Sequence, residues 1–103
     1  MNRILIVGDD KLVGAQARTY AEYRVFSALS RHTRKFRRVR VVLRQRDDRG
    51  TCGMVVCGVT VALEPTGSVR VRVTAPHVYA AINRAVQRLG HALADRVAQR
   101  RSS

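Results

Sequence analysis

The spacing of apolar positions changes repeatedly along this chain, and each change marks an element. Ile4, Leu5, Ile6 and Val7 form a short apolar run that stops at Gly8-Asp9-Asp10, which predicts a strand running into a turn. From about Ala17 to Phe36 the apolar residues Ala21, Val25, Leu29 and Phe36 recur at helical spacing, with Phe26 at the margin of the stripe. Val39, Val41 and Leu43 then alternate with Arg38, Arg40, Arg44 and Arg46, a period of two that puts aliphatics on one face of a strand and arginines on the other. Asp47-Asp48-Arg49-Gly50 turns the chain, Met54 to Leu63 is a near-continuous apolar run rich in β-branched residues, and Glu64-Pro65-Thr66-Gly67 supplies the turn of a hairpin. Val69, Val71 and Val73 alternate with Arg70 and Arg72 before Pro76 marks a boundary. Between His77 and Arg101 the residues Val78, Ile82, Val86, Leu89, Leu93 and Val97 trace one apolar stripe, while Arg84, Arg88 and His91 fall on the opposite side.

The resulting order is β-α-β-β-β-α. It implies an α+β domain with a four-stranded sheet and both helices packed on one face, because each helix has one apolar stripe and the strands have one valine-rich side. Arg40, Arg44, Arg70 and Arg72 then face away from the helices. No repeat, low-complexity block or linker interrupts the chain, so residues 1–103 are expected to form one domain with a loose basic tail at about 98–103.

Charge narrows the class of partner. Twenty Lys and Arg against seven Asp and Glu give a formal charge of +13, with a pI near 11.6. Such a chain repels itself unless it meets a polyanion, and nucleic acid is the expected partner. Most of the cations are arginines, whose planar fork suits phosphate and stacking contacts, although a GC-rich coding sequence gives the same bias. No apolar run approaches the roughly 20 residues that a membrane span needs, and the start Met1-Asn2-Arg3-Ile4-Leu5-Ile6-Val7 lacks the design of a signal peptide. A cytoplasmic protein is expected.

The chemistry of small sites finds little support. Cys52 and Cys57 are five apart in a strand-like run, which places them on opposite faces and about 16 Å apart. They are expected to be reduced and structural. The three histidines are scattered, so neither a metal nor another cofactor is expected. His32 falls on the apolar side of the first helix and His77 near the start of the last, both read as structural. Ile4-Leu5-Ile6-Val7-Gly8-Asp9-Asp10 is similar to the first strand and acidic pair of a receiver domain, but the later strands pattern as antiparallel. Nor do Gly8 and Gly14 form a phosphate-cradling glycine motif. No catalytic constellation can be built from the acids, and the chain is read as a non-enzyme.

The element order alone is shared by double-stranded-RNA-binding-like folds. More specific wording lies in Val78-Tyr79-Ala80-Ala81-Ile82-Asn83 followed by Leu89 and Leu93, in Arg38-Val39-Arg40-Val41-Val42-Leu43 after the aromatic Phe36, and in the passage from Val71 to Ile82. From Gly8 to about Val97 the chain resembles the ribosome hibernation promoting factor and ribosome-associated translation inhibitor family, in its short form. That resemblance implies binding to the small ribosomal subunit and its ribosomal RNA, in the channel for messenger and transfer RNA, with translation inhibited in resting, stationary-phase or stressed cells. It puts the RNA contacts on basic residues of and beside the helices: Arg84, Arg88 and His91 in the closing helix, and Arg24, Arg31, Lys35 and Arg38 in and after the first. The family's acidic residues before Tyr79 are here Thr74, Pro76 and His77, and Glu22 is the one acid of the first helix. A general RNA-binding or ribosome-assembly protein of the same fold is the alternative, and a receiver-like switch a distant third.

Overall fold

A computed structural model describes residues 4–9, 11–32, 36–46, 53–64 and 66–102, the side chains of 46 and 97–102 excepted. The elements are β1 (Ile4–Gly8), α1 (Ala15–His32), β2 (Phe36–Arg46), β3 (Met54–Leu63), β4 (Ser68–Ala75) and α2 (Val78–Ser102). This is the β-α-β-β-β-α order expected from the periodicities. The strands stand in the sheet in chain order, β1 parallel to β2 and the rest antiparallel. The Asp47–Gly50 turn, Cys52 and the side chain of Val97 lie outside the described residues. The helix α2 runs on to Ser102, past the point at which the sequence places a loose tail.

Register explains why one face of the sheet is dry. Three rows cross all four strands: Ile4, Val39, Val61 and Val69; Ile6, Val41, Val59 and Val71; Gly8, Leu43, Cys57 and Val73. Every β2, β3 and β4 member of these rows is buried. The intervening rows carry Leu5, Arg40, Thr60 and Arg70, then Val7, Val42, Gly58 and Arg72. Alternation along each strand therefore separates an aliphatic face from a basic one.

Both helices cover the aliphatic face, through Ala17, Ala21, Val25 and Leu29 of α1 and Ala81, Ile82, Ala85, Val86, Leu89 and Leu93 of α2. The result is a two-layer body 18 Å thick along its shortest axis. The helices are tied to each other at one point by polar and aromatic contacts. Tyr20 donates its hydroxyl hydrogen to Asn83 Oδ1 at 2.6 Å, and its ring meets that of Tyr79 edge-on with centroids 5.2 Å apart. His77 caps α2: its Nδ1 accepts from the Ala80 amide, as the structural role expected of it requires. His32 is half-buried, again as expected.

Phe36 corrects the sequence reading. Helical spacing from Leu29 assigns it to the first helix, yet that helix ends at His32 and Phe36 opens β2. The register with β3 shifts between Phe36 and Arg38, so Arg37 is an extra residue in the ladder. A bulge of this kind reverses the in-out parity. Phe36, even-numbered, thereby reaches the same face as Val39 and packs against the core. Val13 was also missed: it is 1% exposed and closes the end of the core at Gly8, where a Cβ would sit 2.7 Å from Val13 Cγ2. Asp9 shapes that turn, accepting the Lys11 amide on its side chain and the Leu12 and Val13 amides on its carbonyl.

Arginines from the helices cover backbone oxygens on both edges of the sheet. On β1, Arg18 donates to the carbonyls of Ile6 and Gly8, both at 2.8 Å. On β4, Arg84 donates to Thr74 O at 2.8 Å and Arg96 to Ser68 O at 3.1 Å. Satisfied edge groups are poor templates for pairing with another chain.

Leu89 is fully buried in α2 and Gln87 is exposed on the same helix. Leu89→Asp buries an unpaired charge and is expected to lower stability by at least ~3 kcal/mol. Gln87→Asp should leave the melting temperature nearly unchanged, and equal melting of the two variants contradicts the docking of α2. A second prediction concerns Cys57, whose buried thiol is pushed up to about 12 by desolvation from an ordinary value of 9.0. In a Cys52→Ser variant, a thiol reagent at pH 8 should modify the native protein far more slowly than the denatured chain. Because the unfolded thiol ionises first, its contribution to stability is full below pH 9 and falls away as pH rises toward 12.

Candidate nucleic-acid interface

Among the described residues, exposed basic side chains gather on three surfaces. The first is the outer flank of α2, where Arg84, Arg88 and His91 are exposed at spacings of four and three. Arg84 also bonds the edge of β4, so this row lies on the side of α2 away from α1. Asp95 is exposed one turn beyond and interrupts its basic character.

The second surface is the groove between the helices, a cavity of about 360 Å³ lined in part by Arg24, Arg31, His32, Asn83 and Gln87. Arg31 is exposed, whereas Arg24 is half-buried and its Nε is enclosed without a hydrogen-bond partner. This groove is on the α1 side of α2, where Tyr79 and Asn83 meet Tyr20. Two exposed aromatics, Tyr23 at 70% and Phe26 at 56%, project from α1 beyond the groove. Sequence reasoning left Phe26 at the margin of the apolar stripe and did not weigh Tyr23. Their spacing of three, off that stripe, was the available signal.

Arg38 belongs to neither helix surface. It is exposed on β2 and paired in register with Ala62, on the face of the sheet turned away from the helices. Lys35 lies outside the described residues. The six of the seven expected residues that are described therefore do not converge on one patch. The third surface, the open face of the sheet, carries Arg40, Arg44, Arg70 and Arg72 around a shallow groove of about 400 Å³.

The chemistry of these surfaces is that of anion binding. Among the described residues no group of three or more His, Cys, Asp and Glu is placed to hold a metal ion. No helix among them is long and apolar enough to cross a membrane. Exposed guanidinium groups offer fixed forks of donors that match phosphate oxygens.

Comparison with known proteins converges on one family. The Thermus thermophilus Protein Y N-terminal domain, as a crystal structure, superposes with a TM-score of 0.68 at 30% identity, covering 87% of this chain and 91% of that one. No curated protein matches. The family model described as "Sigma 54 modulation protein / S30EA ribosomal protein" matches residues 4–101. With the fold, the Tyr-Ala-Ala-Ile helix and the structural match in agreement, the chain belongs to the Sigma 54 modulation protein / S30EA ribosomal protein family of ribosome-associated hibernation and modulation factors.

Proposed function

We propose that this domain binds the small ribosomal subunit through its ribosomal RNA, in the channel used by messenger and transfer RNA, and thereby suppresses translation in resting cells. The cytoplasm is then its place of work. The observation that carries this reading is the family match over residues 4–101, joined to a charge of +13 that the fold displays as exposed arginines. A flat body 18 Å thick, basic on more than one side, suits a narrow cleft walled by RNA. Its helix side offers Arg31 of α1 and, on the far flank of α2, Arg88 and His91 to phosphates, while the exposed rings of Tyr23 and Phe26 on α1 are available to stack on unpaired bases.

Affinity in this account comes chiefly from phosphate contacts. The logarithm of the binding constant for small subunits should then fall by ~0.7 to 0.9 per contact for each unit of log salt. The double variant Arg31→Gln, Arg88→Gln removes exposed charges without loss of a described fold contact. It should weaken binding and flatten that slope while the melting temperature holds. Transfer RNA and the protein should displace each other from small subunits. If the protein binds free structured RNA as well as it binds subunits, and transfer RNA does not displace it, a general RNA-binding role replaces this one.

A further inference from the structure

The open face of the sheet has a composition that solvation alone does not require. None of the four strands contains an acidic residue. On this face Arg40 and Arg44 of β2 stand on one side of β3, and Arg70 and Arg72 of β4 on the other. Thr60 lies between Arg40 and Arg70 in register, and Gly58 between Val42 and Arg72. The two arginine rows are two strand spacings apart, about 9.6 Å at the backbone. Between them runs a valley floored by Val56, Gly58 and Thr60.

Like charges held this close repel one another, and no acid on the strands offsets them. A polyanion lying along β3 relieves that repulsion from both sides at once. We propose that this valley is a second RNA-binding surface, which takes the phosphate backbone of one RNA strand between its arginine rows while the helix side engages another RNA segment. The inference rests on the reading of the chain as a small-subunit binder. It makes the domain a two-sided RNA bridge.

The floor limits how the strand is read. It has no aromatic side chain on which bases stack, and the exposed apolar residue at its margin is Leu5, opposite Arg40 in register. Recognition on this face therefore runs through phosphates and is indifferent to base sequence. Gly58 keeps the valley open. A Cβ there would meet nothing closer than the Val71 carbonyl oxygen at 3.9 Å, so a larger residue fits the sheet and fills the groove.

Two variants of the full chain test this, one electrostatic and one steric. Arg70→Gln with Arg72→Gln removes one row, and Gly58→Val blocks the floor with a better strand former. Both are measured by co-sedimentation with purified small subunits and by titration of 20-nucleotide oligouridine and oligoadenosine, over a range of salt, beside Arg31→Gln, Arg88→Gln. Both sheet variants should bind subunits more weakly at an unchanged or higher melting temperature. The arginine pair should lower the salt slope by ~1.4 to 1.8, and the two oligonucleotides should bind the wild type alike. If both sheet variants bind subunits and oligonucleotides as the wild type does while the helix variant is weakened, the inference is wrong and the proposed function stands. If the wild type does not sediment with subunits, yet the sheet variants lose oligonucleotide binding, the proposed function fails and the sheet site survives. Preference for vesicles of anionic lipid over either oligonucleotide, abolished by the same substitutions, overturns the RNA assignment.

Discussion

The aliphatic face of the sheet governs everything else in this domain. Its three rows of Val, Ile, Leu and Cys residues must be kept from water, and burying such side chains contributes of the order of 1.5–3 kcal/mol each. Two helices are just enough to cover four strands. Because both are used on one side, the other side of the sheet stays open, and strand alternation delivers the arginines of β2 and β4 to it. The same packing turns the polar stripes of the helices outward. A basic surface on each side is thus a consequence of how the core is sealed.

The polar details serve that seal. Arg18, Arg84 and Arg96 satisfy edge carbonyls, so part of the high arginine content stabilises the ends of the sheet. Tyr79 and Asn83, two letters of the helix wording that resembles the family, fix α2 against Tyr20 of α1. The recognisable motif is therefore in large part a packing motif. Of its two alanines, Ala81 is fully buried where the helix meets the rest of the core, and Ala80 packs half-buried against that core.

The regular strands and both helices were legible because their apolar periods are long and uninterrupted: Val39, Val41 and Leu43, or Ile82, Val86, Leu89 and Leu93, admit one reading each. Phe36 was misplaced because a bulge at Arg37 changes strand parity, and a bulge leaves no periodic trace. Val13 was missed because burial of a turn residue depends on the glycine it packs against. The candidate site was only partly legible. The sequence shows that Arg84, Arg88 and His91 share a stripe, but not that Arg84 is also bonded to Thr74, nor that Arg24 and Arg31 open into a different groove. It separates Arg38 from the helices only once strand parity is known. Charge is visible in a sequence, while convergence of charge is a property of the fold.

The central claim is that RNA of the small subunit lies against both sides of the domain. It is tested most directly by tethering an iron chelate to a cysteine introduced by Gln87→Cys on the helix side or by Leu5→Cys at the exposed margin of the open sheet face. The background is Cys52→Ser, with Cys57 left in place because it is buried. Hydroxyl radicals generated from each position on the bound protein should cut small-subunit RNA, and the two sets of cleaved nucleotides should differ. Cleavage from Gln87→Cys alone, with none from Leu5→Cys, contradicts the two-sided account.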